Sequence, residues 1–158
     1  MSIRRRDQRG LTLIELIVAF TILLLLTSMS VPLARYKVRR DKEKDLRVAL
    51  DQMRRAIDAY KDGCDKGEIG PVKIECDCYP ETLEMLVEGV KKQGQVDKKV
   101  KFLRRIPKDP FASYGSAEWG KRSWQDDPKS TSWGGQNVFD VFTKTTEKAR
   151  DGTQYSEW

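Results

Sequence analysis

The chain contains no histidine among its 158 residues. Imidazole general acid–base chemistry and imidazole metal ligation are therefore excluded. Cysteine is scarce, with three residues, Cys64, Cys76 and Cys78, confined to one short stretch. Their spacing has no C-x-x-C pair, so a thiolate metal site is a poor fit. A glycine-rich phosphate loop and a nucleophile–base pair are also missing, so an enzyme is not expected. No internal repeat or low-complexity tract breaks the chain. Excess charge is modest. The formal net charge is +6, and residues 1–10 supply half of it through four arginines against Asp7. What remains is too weak a bias to argue for a nucleic-acid partner.

What is present is one long apolar run. Residues 11–34 carry a single carboxylate, Glu15, near their start and a single proline, Pro32, near their end. As a helix this run measures roughly 36 Å, enough to cross a bilayer core of about 30 Å. A lone Glu in such a segment is costly unless it reaches the surface or finds a partner. A cleaved secretory signal would end at a small-residue site, which Ser28-Met29-Ser30 imitates poorly. A plain single-pass anchor explains the length and gives no reason for Glu15. Charge does not orient the segment. Arg4, Arg5, Arg6 and Arg9 precede it, while Arg35, Lys37, Arg39, Arg40, Lys42 and Lys44 follow it.

Gly10 followed by Leu11-Thr12-Leu13-Ile14-Glu15 and an apolar helix containing Pro32 resembles the class III signal of type IV pilins and type II secretion pseudopilins. The resemblance implies that a prepilin peptidase cuts between Gly10 and Leu11 and methylates the new amine of Leu11. Glu15 and Pro32 then fall on the fifth and twenty-second mature positions, as in the family. Leu11 departs from the usual Phe. The implied organisation is a leader (residues 1–10), a transmembrane helix (residues 11–34) and a periplasmic domain (residues 35–158). The last part is large enough for one small core.

Downstream, Leu46, Leu50, Met53, Ile57 and Tyr60 recur at spacings of three and four, with Ala49 and Ala56 beside them. That stripe predicts an amphipathic helix continuing from the apolar one, ended by Gly63. Proline at 32 predicts a bend or local opening, with Thr27, Ser28 and Ser30 able to bond the freed backbone groups. Cys64 is expected to pair with Cys76 or Cys78. Tyr79-Pro80-Glu81-Thr82 opens a short second helix, and residues 89–101 read as a polar, mobile segment. Pro107-Lys108-Asp109-Pro110-Phe111 is a turn that leads into the sheet and presents Tyr114. Residues 138–143 read as a strand. Trp158 is expected to tuck against the core. The Tyr-Pro and Pro-Lys-Asp-Pro stretches are similar to those of major pseudopilins.

The resemblance implies an α+β pilin-like fold, a long N-terminal helix packed on a small antiparallel sheet of three to four strands. It implies a structural subunit of a type II secretion pseudopilus, held in the inner membrane by a single pass with its C-terminal domain in the periplasm. Its partners would be further copies in a helical filament, minor pseudopilins, the inner-membrane assembly platform and the prepilin peptidase. A type IV pilin and a DNA-uptake pseudopilin are the alternatives. In the last, the aromatic and basic stretch at residues 119–124 would touch single-stranded DNA; no nucleic acid is expected otherwise. The family also binds Ca²⁺ after its last strand. Here residues 144–154 offer Glu147 and Asp151 as oxygen donors, and a loop closed by its own hydrogen bonds is the other reading.

Overall fold

The computed structural model describes residues 12–71, 73–112 and 118–158; of residues 29–33, 74, 96 and 97 the backbone alone is described. The expected role of Tyr114 therefore falls outside the described residues. The chain divides into two units, Met1–Asp41 and Lys42–Trp158.

Helix α1 spans Leu13–Asp65 and belongs to both units. In the first unit its apolar side chains are exposed, from Leu13 at 78% to Leu16 at 49%. In the second unit the three-and-four stripe turns inward. Leu46, Ala49, Leu50, Met53, Ala56, Ile57 and Tyr60 are all buried in one core cluster. The same helix thus changes from apolar all round to one-sided, which is the pattern of a segment that leaves one solvent for another.

The helix ends later than Gly63. The amide of Gly67 donates to Cys64 O at 2.8 Å, and that of Glu68 donates to Gly63 O at 2.9 Å. These two bonds close a Schellman motif, with Gly67 supplying the positive φ of 68° that an L-residue adopts reluctantly. Gly63 lies within the helix, and a Cβ there would make ordinary contacts of 3.8 Å with Ile69 and Phe102.

Helix α2, Leu83–Glu88, follows Pro80 as the sequence suggests and buries Leu83 and Leu86. The segment expected to be mobile is a hairpin. Strand β1, Val90–Lys92, pairs antiparallel with β2, Gln95–Val100, and Gly94 turns the chain with φ 75°. Charge hid it, because Lys91 and Lys99 sit opposite each other in a strand pair with little apolar alternation.

Strand β3, Gly120–Arg122, pairs antiparallel with β4, Asp140–Phe142, so that Lys121 faces Val141 and Arg122 faces Asp140. The single sheet of three to four strands is thus corrected, among the described residues, to two separate two-stranded pairs. Prolines 107 and 110 hold the intervening chain in irregular conformation, since neither can donate to a ladder. The architecture remains α+β, a long N-terminal helix packed on small antiparallel pairs, consistent with a pilin-like fold.

The core joins the helix stripe to Leu103, Phe111, Trp119, Val138, Val141 and Tyr155. Asp109 earns its burial by accepting from Phe111 N at 2.8 Å and Thr143 Oγ1 at 2.5 Å. Among the described residues no helix is long and apolar enough to cross a membrane. Within residues 11–34, which the sequence counts as the span, the side chains of residues 29–33 lie outside those described.

Candidate processing and assembly site

Gly10 and Leu11, on either side of the expected cut, lie outside the described residues. The site becomes visible at Thr12. Its Oγ1 accepts from Glu15 N at 3.3 Å, and its carbonyl accepts from Leu16 N at 3.1 Å. Thr12 therefore caps α1. The spacing Thr12-x-x-Glu15 is that of a capping box, which places a carboxylate where unpaired helix N–H groups favour negative charge. Sequence reasoning missed this role, although the T-x-x-E pattern was there to be read. Glu15 thus stands in the first turn of α1, flanked by the exposed apolar side chains of Leu13, Ile14, Leu16 and Ile17.

Hydroxyls within that surface are satisfied by their own helix. Thr21 Oγ1 donates to Ile17 O, Thr27 Oγ1 donates to Leu23 O at 2.8 Å, and Ser28 Oγ donates to Leu25 O at 2.9 Å. Thr27 and Ser28 thus bond carbonyls one turn back, rather than groups freed by a proline. The backbone is helical through position 32, where a bend or local opening is expected from the sequence; the Pro32 side chain lies outside those described.

In the second unit, Cys64 is joined to Cys78 across 14 positions, and Cys76 keeps its thiol. Cys76 is buried, with its Sγ 3.4 Å from Gln136 O. Burial, and next the charge of Glu81, push this thiol above its ordinary range. A buried thiol of that kind is inert at neutral pH. Asp77 and Cys78 both adopt positive φ, 50° and 62°, to bring the second sulfur round.

Glu147 and Asp151, the expected calcium donors, both lie in a loop rich in its own hydrogen bonds. Asp151 Oδ1 accepts from Thr153 Oγ1 at 2.6 Å and from Thr153 N at 3.0 Å, which lowers its pKa. Ala149 N donates to Thr153 O at 2.7 Å, and Tyr155 N donates to Glu147 O at 3.3 Å. Among the described residues no three acidic or cysteine side chains are grouped to hold a metal. Residues 144–154 form a loop closed by its own hydrogen bonds, with Lys148 and Gln154 paired across it.

The stretch at residues 119–124 does not form a basic aromatic face. Trp119 is buried and donates from Nε1 to Pro107 O at 2.8 Å. Arg122 is buried against Asp140, with its guanidinium 4.0 Å from the Phe142 ring centroid. Trp124 alone of this stretch is well exposed, and it packs on Tyr79 and Phe139. The loop that carries it is held by Asp126, which accepts from Ser123 N at 2.7 Å and Gly134 N at 3.0 Å.

No curated protein and no solved structure shows a significant match to the chain. Residues 5–31 match the family model described as the prokaryotic N-terminal methylation motif, which supports a type IV pilin-like protein, a class of structural subunits whose signal is read by a prepilin peptidase.

Proposed function

We propose that the chain is a structural subunit of a type II secretion pseudopilus, a short periplasmic filament that drives export across the outer membrane. The observation that carries this reading is the methylation motif at residues 5–31 laid on a helix whose apolar side chains are exposed. An exposed apolar surface of this extent needs a lipid or protein environment. The subunit waits in the inner membrane on residues 11–34, with its C-terminal domain in the periplasm. After the cut at Gly10, the new amine of Leu11 enters the filament, where Glu15 of a neighbouring copy neutralises it. A buried charge is tolerable with such a partner and costly without one. The resemblances at residues 79–86 and 107–111 favour a secretion pseudopilin over a type IV pilin.

Intact-mass measurement on protein from the native membrane tests the processing step. A chain beginning at a methylated Leu11 is the expected result, and one that retains residues 1–10 ends this reading. Secretion of a reporter in a strain lacking the subunit then separates export from surface piliation: lost pili with normal secretion would assign the chain to a pilus.

A further inference from the structure

Just beyond the apolar run, α1 carries Arg35, Tyr36, Lys37, Val38, Arg39 and Arg40 in succession. These residues are exposed, Tyr36 at 61%. Between Glu15 and Asp41 the sequence has no acidic residue. We propose that Arg35, Lys37 and Arg40, joined by Arg39, form a cationic collar that gathers anionic phospholipid headgroups around the helix; the proposal rests on the membrane-anchored reading above.

Three features point to lipid rather than to a protein face. The first is angular. At roughly 100° per residue, Lys37 and Arg40 fall about 200° and 140° from Arg35, so the charges stand on opposite sides of the helix. A protein partner meets one side, whereas a headgroup layer surrounds the helix. The second is depth. Residues 13 to 34 rise roughly 32 Å, close to a hydrocarbon core of about 30 Å. Residues 35 to 40 rise a further 7.5 Å or so, and each polar zone of a bilayer is about 5–7.5 Å thick. The third is composition. A tyrosine among arginines and lysine at this depth is the make-up of an interfacial anchor.

The test reconstitutes the full chain in phosphatidylcholine vesicles containing phosphatidylglycerol. Spin-labelled phosphatidylglycerol and spin-labelled phosphatidylcholine are compared for the fraction immobilised by the protein. Alkaline extraction of the same vesicles reports insertion independently. The expected result is a several-fold preference for phosphatidylglycerol that weakens with salt. Combining Arg35→Gln, Lys37→Gln and Arg40→Gln should reduce it, by at most about fivefold per charge. Combining Lys66→Gln, Lys99→Gln and Lys129→Gln removes the same charge from exposed positions of the second unit and should leave the preference unchanged. Equal selectivity for the unaltered chain and the collar variant, with both resisting alkali, overturns the collar. An equal loss in the lysine control overturns it too, since net charge would then be sufficient. Release of the unaltered chain by alkali overturns the anchored reading, and the collar falls with it.

Discussion

Arg54 and Asp140, 86 positions apart in the chain, meet as an ion pair with Nε 2.7 Å from Oδ1. Asp140 also receives Arg122 Nη1 at 3.2 Å, so one carboxylate on β4 joins the helix to the neighbouring strand. Arg122 is the more enclosed of the two cations, with 10% of its side chain exposed. Asp140→Asn keeps the shape and removes the charge between two guanidiniums. Breaking a charge-assisted contact costs about 1.5–3 kcal/mol, and the partial exposure of Arg54 favours the lower half of that range. Urea denaturation of Lys42–Trp158 should show a loss of about 2 kcal/mol. An unchanged midpoint would show that the clamp contributes nothing.

Gly120 lies under the ring of Phe142. A Cβ at this position would stand 2.4 Å from two ring atoms, and the ring is itself buried beneath Arg122. Gly120→Ala must therefore push an aromatic ring out of a packed position, at about 1–3 kcal/mol. The same denaturation assay reads it, and a variant as stable as the parent would mean that Phe142 has room to move.

The disulfide should be worth about 3 kcal/mol on the chain-entropy model, given the loop it closes. Cys64→Ser and Cys78→Ser should each lose about that much, and the double variant no more than either. Thiol labelling checks the pairing. The folded, unreduced domain should label slowly because Cys76 is buried; unfolding should expose one thiol, and reduction should expose all three. Rapid labelling of three thiols without reductant would contradict the bridge.

Asp126 titrates below the ordinary carboxylate range, because the backbone N–H groups of Ser123 and Gly134 bond its charged form. A folded-state pKa lowered in this way adds stability above the unfolded value of about 4, and that stability is lost as pH falls through the folded value. Acid should therefore loosen the loop at residues 123–134 in the parent, while Asp126→Asn should remove this part of the acid dependence. Carboxyl chemical-shift titration locates the transition. An Asp126 pKa at or above the ordinary range would refute the assignment.

Two readings of Glu15 are to be separated, a carboxylate placed at the helix start capped by Thr12 and the proposed counter-charge for an incoming amine. Glu15→Gln keeps much of the capping geometry and removes the charge. If the counter-charge matters, Glu15→Gln and Glu15→Ala should both abolish filaments at normal levels of processed subunit, at a cost of about 3–5 kcal/mol per unpaired buried charge. Glu15→Lys should be worse. Filament recovery decides it. Normal filaments from Glu15→Gln would leave capping as the role of this residue.

The sequence made the helices legible because apolar spacing reports burial directly: the stripe of Leu46, Leu50, Met53, Ile57 and Tyr60 is buried throughout. It misplaced the helix end because both Gly63 and Gly67 could terminate it, and only Gly67 takes the positive φ that does so. The hairpin of β1 and β2 escaped because strands of three and six residues rich in lysine carry almost no alternation. Trp119 was mistaken for a surface residue because a local run of bases and aromatics does not reveal which ring faces the core. At the candidate site Glu15 was evident from its isolation, whereas its partner Thr12 was hidden because hydroxyls are common in apolar helices.

The core shared by α1 and β4 has a consequence for biosynthesis. Leu46, Met53 and Tyr60 are covered in part by Val138, Val141 and Tyr155, which the ribosome delivers last. At about 5–20 residues per second, the stripe waits roughly 5 to 20 s for its cover after Tyr60 has been synthesised. Over that interval the nascent chain already holds its apolar N-terminal run and a second, unclosed apolar face. A cell making this protein must keep the two apart until strand β4 covers the second.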